Sequence, residues 1–205
     1  MTEKTAQKEP GKKPAPSKKP KPQQEVVVQI SLSELHPFPD HPFQVREDAS
    51  MQETAESVKE YGVLVPALAR PREDGGYELI AGHRRKHACE LAGLATMPVI
   101  VRDIDRDAAT IIMVDSNLQR ENILPSERAK AYKMKMEAIK RQGARTDLTS
   151  PKISAKFRSD DEVGQDAGVS GDTIRNYIAL TQLVPELQQM VDEKKIALSP
   201  AYQLA

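Results

Sequence analysis

The sequence predicts an α+β chain, with a small mixed-sheet domain followed by an all-α domain. Three observations predict it. Between residues 25 and 142, short β-branched runs alternate with segments of helical period. Beyond residue 159 every periodic segment is helical. The stretch 143–158 between them is polar, contains Pro151, and reads as a linker. Strands mixed with helices, then helices alone, fit two successive units rather than one alternating sheet.

Each element has a local cause. Val26, Val27, Val28 and Ile30 are β-branched and read as a strand. Three prolines in 36–42 predict an extended loop. Ser50 and Glu53 have capping-box spacing and predict a helix carried by Met51, Ala55 and Val58, with Gly62 at its end. Residues 63–69 are apolar and read as a strand, 74–76 as a turn, and 77–80 as the returning strand. A helix is expected from His83 to Ala92, a strand over 97–101, and a helix capped by Asp105. Pro125 suits a first helical turn, and Ala129, Tyr132, Met136 and Ile139 form one stripe that Gly143 should end. Ser159 and Glu162 have a second capping-box spacing, and 185–196 reads as an amphipathic helix.

The chain has 205 residues, of which 39% are hydrophobic, enough for two small cores. No apolar run is long enough to span a bilayer and no charged-then-apolar leader opens the chain, so a cytoplasmic location is expected. Cys89 is the single cysteine; it excludes an intrachain disulfide and fits a small core residue. Aromatic residues make up 4% of the chain and tryptophan is absent, which argues against base stacking as the main binding mode. Thirty basic and thirty acidic side chains cancel, so the distribution of charge matters more than its sum. Residues 1–24 hold seven lysines, two acids and five prolines, and are expected to be a disordered basic tail.

The pattern over 161–180 is that of a DNA-reading helix pair. A short helix is followed by Gly168 at the turn, Val169 as an apolar plug, Ser170 as a cap, and inward-facing Ile174 and Ile178. Ser170, Thr173, Arg175 and Asn176 then occupy the start of the second helix, the end that meets base edges in the major groove. Arginine suits guanine and asparagine suits adenine, while threonine is the better phosphate contact. An ordinary helical hairpin with a solvated face is the plain alternative.

Gly82-His83-Arg84-Arg85-Lys86 is a second informative segment. It places cations at a helix start, where free N–H groups and the helix dipole favour anions. A bound polyanion reverses that conflict, so this is a candidate phosphate site. Over 115–122, Asn117 offers an amide oxygen suited to Mg²⁺, with Asp115 or Glu121 as helpers, and Arg120 can reach phosphate, although this segment alone reads more simply as a polar helix end before a turn.

From about residue 25 to 183 the sequence resembles the ParB partition family. His41-Pro-Phe-Gln-Val-Arg46, Ser57 through Pro66, Gly82-His-Arg-Arg85 and Ser116-Asn-Leu-Gln-Arg-Glu-Asn-Ile123 are similar to four boxes of that family, in order, ahead of its helix-turn-helix. The resemblance implies a ParB/sulfiredoxin-like domain over 25–142 that binds CTP, and a helix-turn-helix domain over 159–205 that binds double-stranded DNA at a centromere-like site. It implies a homodimer closing as a CTP-dependent clamp in chromosome or plasmid segregation, with a ParA-type ATPase as a further partner. By motif, Gln44, Arg46, Ser57, Gly62, Pro66, Gly82, His83, Arg84, Arg85 and Arg120 would bind the nucleotide, and Asn117 would hold Mg²⁺.

The departures shape what is expected of this chain. His83 and Ser116 stand where the family has glutamates. Serine is no carboxylate base, so nucleotide binding with at most weak CTPase activity is expected and no catalytic residue is assigned. His83 is expected to donate to phosphate, more strongly when protonated. The tail carries no arginine for the ATPase contact, and the family's C-terminal dimerisation domain is not in the sequence. The alternatives are a transcriptional regulator with a degenerate nucleotide pocket, and a nucleotide-dependent small-molecule kinase, against which residues 159–183 count.

Overall fold

The computed structural model describes residues 25–120, 122–146 and 159–205. The tail, Glu121, the capping side chain of Ser159 and linker residues 147–158 lie outside what it describes.

Five strands form one mixed sheet: β1 (Val27–Ser31), β2 (Leu35–Pro37), β3 (Ala67–Pro71), β4 (Tyr77–Ala81) and β5 (Thr96–Val101), in the order β1-β5-β3-β4-β2. β1 is antiparallel to β5 and β3 to β4, while β3 runs parallel to β5 and β2 to β4. Adjacent residues of a strand face opposite ways, and β4 uses both faces. Leu79 packs into the core shared with α1 (Ala49–Tyr61) and α2 (His83–Leu91), whereas Ile80 packs into the core shared with α3 (Arg106–Leu118) and α4 (Pro125–Thr146). Both side chains are fully buried, and each burial stabilises the fold by about 1.5–3 kcal/mol. Cys89 is buried in the first of these cores, as its size suggests.

Several boundaries differ from expectation. The segment read as a loop over 36–42 begins with β2, an edge strand, where proline is tolerated because the outer N–H needs no partner. The apolar run over 63–69 becomes strand only from Ala67, because the Val65 and Pro66 carbonyls are taken by Arg85. Asp48, not Ser50, caps α1: its carboxylate accepts from the Met51 N–H at 2.9 Å. Asp105 caps α3 as expected, accepting from Ala108 at 2.8 Å. α4 does not stop at Gly143 but continues to Thr146.

The helical part comprises α5 (Ser159–Ala167), α6 (Gly171–Ala179), a 3-10 turn (Leu180–Gln182), α7 (Pro185–Asp192) and α8 (Leu198–Leu204), the last not anticipated. α4 supplies part of its core. Tyr132 is buried with Val163 and Ile174, and Ala129 is buried with Leu180, Leu183, Val191 and Ala201. Two polar ties reinforce the packing. Ser126 donates from its backbone and its hydroxyl to Asp192 at 2.9 and 2.6 Å. Lys135, only 1% exposed, donates to Asp115 of α3 at 2.6 Å and Asp166 of α5 at 2.8 Å. Among the described residues no helix is long and apolar enough to cross a membrane.

Candidate functional site

A cavity of about 480 Å³ opens where the 43–50 segment, the start of α2, Arg120 and the 122–127 segment meet. Its size is within the range of small-ligand sites. Of the residues singled out by sequence, Gln44, Arg46, Arg84 and Arg120 line it. Ser57, on the exposed side of α1, and Gly62 and Pro66 in the following loop are not part of its wall.

Three guanidinium groups give the region its character. Arg84 reaches back to α1, with Nη2 3.3 Å from the Ser50 hydroxyl and 3.6 Å from the Asp48 carboxylate that caps that helix. Arg85 donates through Nη1 to the Val65 and Pro66 carbonyls, 2.6 Å each, and so fixes the loop ahead of β3. Arg120 is half-buried; its pKa is lowered first by burial, then by the positive charge of Arg84, while Glu127 opposes the shift. Burial alone lowers the pKa of Arg85. Mutual repulsion and desolvation make this cluster costly by itself, and an anion in the cavity lowers that cost.

Gly82 precedes α2 with φ +112°, and a Cβ there would lie 2.8 Å from the Cβ of Ala67. Close packing on β3, as well as the left-handed backbone, therefore requires this glycine. Its Cβ position also lies 3.3 Å from Nη2 of Arg85, so a side chain there would press on the cluster itself.

His83 corrects one expectation. Its ring packs against His41 at a tilt of 41° with centroids 3.9 Å apart, and its Nε2 is buried with no hydrogen-bond partner. Burial, followed by the charges of His41, Arg120 and Lys86, pushes its pKa down to about 3. These surroundings favour the neutral ring, which keeps one N–H to donate but disfavours the protonated form expected to donate more strongly.

Glu127 was not singled out by sequence, yet it organises the cavity. Its buried carboxylate accepts from the backbone N–H of Gln44 at 3.1 Å and of Leu124 at 3.2 Å, and lies 3.6 Å from Arg46. The bond to Leu124 is the returning half of a capping box at the start of α4, and Pro125 with an acid two residues later was the available signal.

Asn117 is 2% exposed. Its amide nitrogen donates to the Met113 carbonyl at 2.8 Å, which leaves the Oδ1 buried without a partner. An orphaned amide oxygen suits a hard cation. Asp115 is not available beside it, being tied to Lys135. Ser116 donates its hydroxyl to Met113 at 2.9 Å. Among the described residues no cluster of three His, Cys, Asp or Glu side chains could hold a metal ion. Among the described residues the lining therefore fits a polyanion, and Asn117 is the one that offers a free buried side-chain oxygen to a cation.

The helix pair is built as the sequence suggested. Gly168 takes φ +68° between α5 and α6, Val169 packs against the core, and Ile174 is fully buried. Ser170 caps α6 by accepting from the Thr173 N–H at 3.2 Å, and the two hydroxyls are 2.9 Å apart. Asn176 is exposed. Arg175 forms ion pairs with both Asp160 of α5 and Asp172 of its own helix. Sequence reasoning missed these carboxylates.

Comparison with known proteins gives the same outline. Residues 16–118 match the model of the ParB N-terminal domain. The chain is 35% identical over 171 residues to the chromosome-partitioning protein Spo0J of Thermus thermophilus, covering 83% of this chain and 56% of that protein. It is 31% identical over 175 residues to the stage 0 sporulation protein J of Bacillus subtilis, covering 85% and 56%. Among solved structures, the C-terminally truncated chromosome-partitioning protein ParB of Caulobacter crescentus, complexed to the centromeric parS site, superposes with a TM-score of 0.56 at 26% identity, over 86% of this chain and 83% of that one. The chain thus spans little more than half the length of these two curated relatives.

Proposed function

The chain belongs to the family of the ParB N-terminal domain, and from this we propose that it is a partition-type protein that binds a centromere-like DNA site and uses CTP to close two copies into a clamp. Residues 25–142 form the nucleotide unit in this reading and 159–205 the DNA unit, with α4 packed against both. The observation that carries it is the gathering of Arg46, Arg84 and Arg120 on the wall of one cavity, with the charge of Arg84 repelling that of Arg120.

Arg84 and Arg120 face the triphosphate, Gln44 and Arg46 line its pocket, and Arg85 acts through the loop whose carbonyls it holds. Gly82 and His83 stand at the start of the helix that carries Arg84, whereas Ser57, Gly62 and Pro66 lie off the cavity wall and are assigned to the nucleotide by the family motif alone. Asn117 Oδ1 is the protein oxygen for Mg²⁺. Bound CTP supplies the negative charge that the cluster lacks. On the DNA side, Asn176 reads a base edge, Ser170 and Thr173 meet phosphate, and Arg175 reads once released from its carboxylates. A ParA-type ATPase is the expected partner of the assembled clamp.

The same residues favour holding the nucleotide over cleaving it. The Ser116 hydroxyl is committed to Met113 and Asp115 to Lys135, which leaves neither beside Asn117 as a free base.

The test is selection of bound sequences from a random duplex pool, followed by titration of the selected duplex. One sequence should be enriched. Asn176→Ala should lose preference for it, and Arg84→Ala should retain DNA binding. Failure to enrich any sequence, or loss of DNA binding in Arg84→Ala, would contradict this reading.

A further inference from the structure

We infer that the outward face of α4, carrying Lys130, Lys133 and Lys140, is a phosphate-contacting surface for the DNA that α6 reads. The inference rests on the DNA-binding reading above and adds to it where the electrostatic attraction comes from.

The helix-turn-helix cannot supply that attraction by itself. Residues 159–205 contain eight acidic side chains against three basic ones, Arg175, Lys194 and Lys195. Arg175 is neutralised by Asp160 and Asp172, and Lys195 lies 2.5 Å from Glu193. A duplex approaching α6 therefore meets a net negative unit. Most of the affinity of ordinary DNA-binding proteins comes from cations set against phosphates.

α4 has the opposite balance, with seven basic and two acidic residues over 125–146. Some of its cations are committed. Lys135 is buried between two aspartates, Arg141 is bonded to Asp107 at 2.7 Å, and Arg128 lies over the Tyr177 ring at 5.7 Å. Lys130, Lys133 and Lys140 remain exposed, and none forms an ion pair with another described residue. At about 100° per residue these positions fall within a quarter of the helix circumference, and they span roughly 15 Å along the axis. That length passes several phosphates of one strand at roughly 3.4 Å each.

The face is also held rigidly with respect to the reading helix. Tyr132 of α4 meets Tyr177 of α6 edge-on at 5.7 Å and shares a core with Ile174. A lysine stripe fixed in this way sets the register of α6 on the duplex without contributing sequence preference of its own.

The experiment is a salt series of fluorescence anisotropy titrations. It uses the full chain and the variant Lys130→Gln/Lys133→Gln/Lys140→Gln, each with the selected duplex and a scrambled duplex. The slope of log K against log salt should become shallower by up to about 2.7, or about 0.9 per lysine. Affinity should fall by the same factor on both duplexes, and thermal unfolding should not change because all three side chains are exposed. The single Lys→Gln variants should each remove a part of the slope, so the result does not depend on the triple variant. An unchanged slope, with wild type binding DNA normally, overturns the inference and leaves the DNA reading intact. Loss of self-association in sedimentation, again with an unchanged slope, would assign the face to a second copy and also overturn it. Wild type that binds neither duplex ends both.

Discussion

Gly82→Ala tests the architecture beneath the arginine cluster. The backbone at Gly82 has φ +112°, and an added Cβ would lie 2.8 Å from Cβ and 3.3 Å from Cα of Ala67. An L-residue in this conformation costs about 1–3 kcal/mol. Overpacking against a strand that cannot easily withdraw adds about 1–3 kcal/mol. Ala67 is fully buried in the middle of a sheet paired on both sides, so relief by movement is limited and a total of about 3 kcal/mol is expected. The assay is urea unfolding of wild type, Gly82→Ala, Ala67→Gly and the double variant. Ala67→Gly removes the overlapping methyl but leaves the positive φ, so the two changes should couple by about 1 kcal/mol or more. CTP affinity should fall in Gly82→Ala, because the new methyl also approaches Arg85. A loss below about 0.5 kcal/mol, or no coupling between the sites, would refute this account of the glycine.

Other expectations follow from the same contacts. Glu127→Gln should weaken two backbone bonds and remove the partner of Arg46, lowering stability by about 1–2 kcal/mol by urea unfolding, with CTP affinity falling as well. Lys135→Met should cost about 1–3 kcal/mol, a value moderated because Asp115 and Asp166 are half-exposed and remain hydrated. Its effect should disappear in a background of Asp115→Asn with Asp166→Asn, as measured by a mutant cycle. The lowered pKa of His83 sets a pH dependence. The unfolded chain takes up a proton near pH 6.5 and the folded one near pH 3, so stability is full above pH 6.5 and falls as the pH drops toward 3. Between pH 7 and 5 the loss should be about 1–2 kcal/mol, and His83→Gln should remove most of it. Arg175→Ala should destabilise the chain by about 1–3 kcal/mol in thermal or urea unfolding, because it leaves Asp160 buried without its cation.

Much of the fold was legible because local signals agreed with the global arrangement. Asp105, Pro125, Gly168 and Ser170 each satisfy a backbone demand that their own neighbours create, so sequence sufficed. Signals failed where one residue type had two uses. Asp48 and Ser50 are both good caps; the chain uses the first for the helix and the second for Arg84. An apolar run does not distinguish strand from loop, and the long-range bonds of Arg85 decided where β3 begins.

The candidate site divides in the same way. Arg84 stood out locally because a cation at a helix start is unexpected, whereas Arg120, whose segment alone reads as a polar helix end, was favoured only through the family resemblance. Lys135, Asp160 and the long-range half of Glu127's role depend on partners between 15 and 83 residues away, and no local pattern encodes such pairings. The protonation state of His83 was hidden for a related reason: it is set first by burial and then by the charges of His41, Arg120 and Lys86, which the fold brings around it.

The most direct measurement of the central claim is calorimetric titration of CTP with Mg²⁺ into wild type, Arg84→Ala and Arg120→Ala, with and without the selected duplex. Wild type should give saturable binding of one nucleotide per chain, and each variant should weaken it tenfold or more while keeping its fold. Absence of saturable binding by wild type under both conditions, or variants that bind as well as wild type, would contradict the claim that these guanidinium groups are gathered to hold a triphosphate.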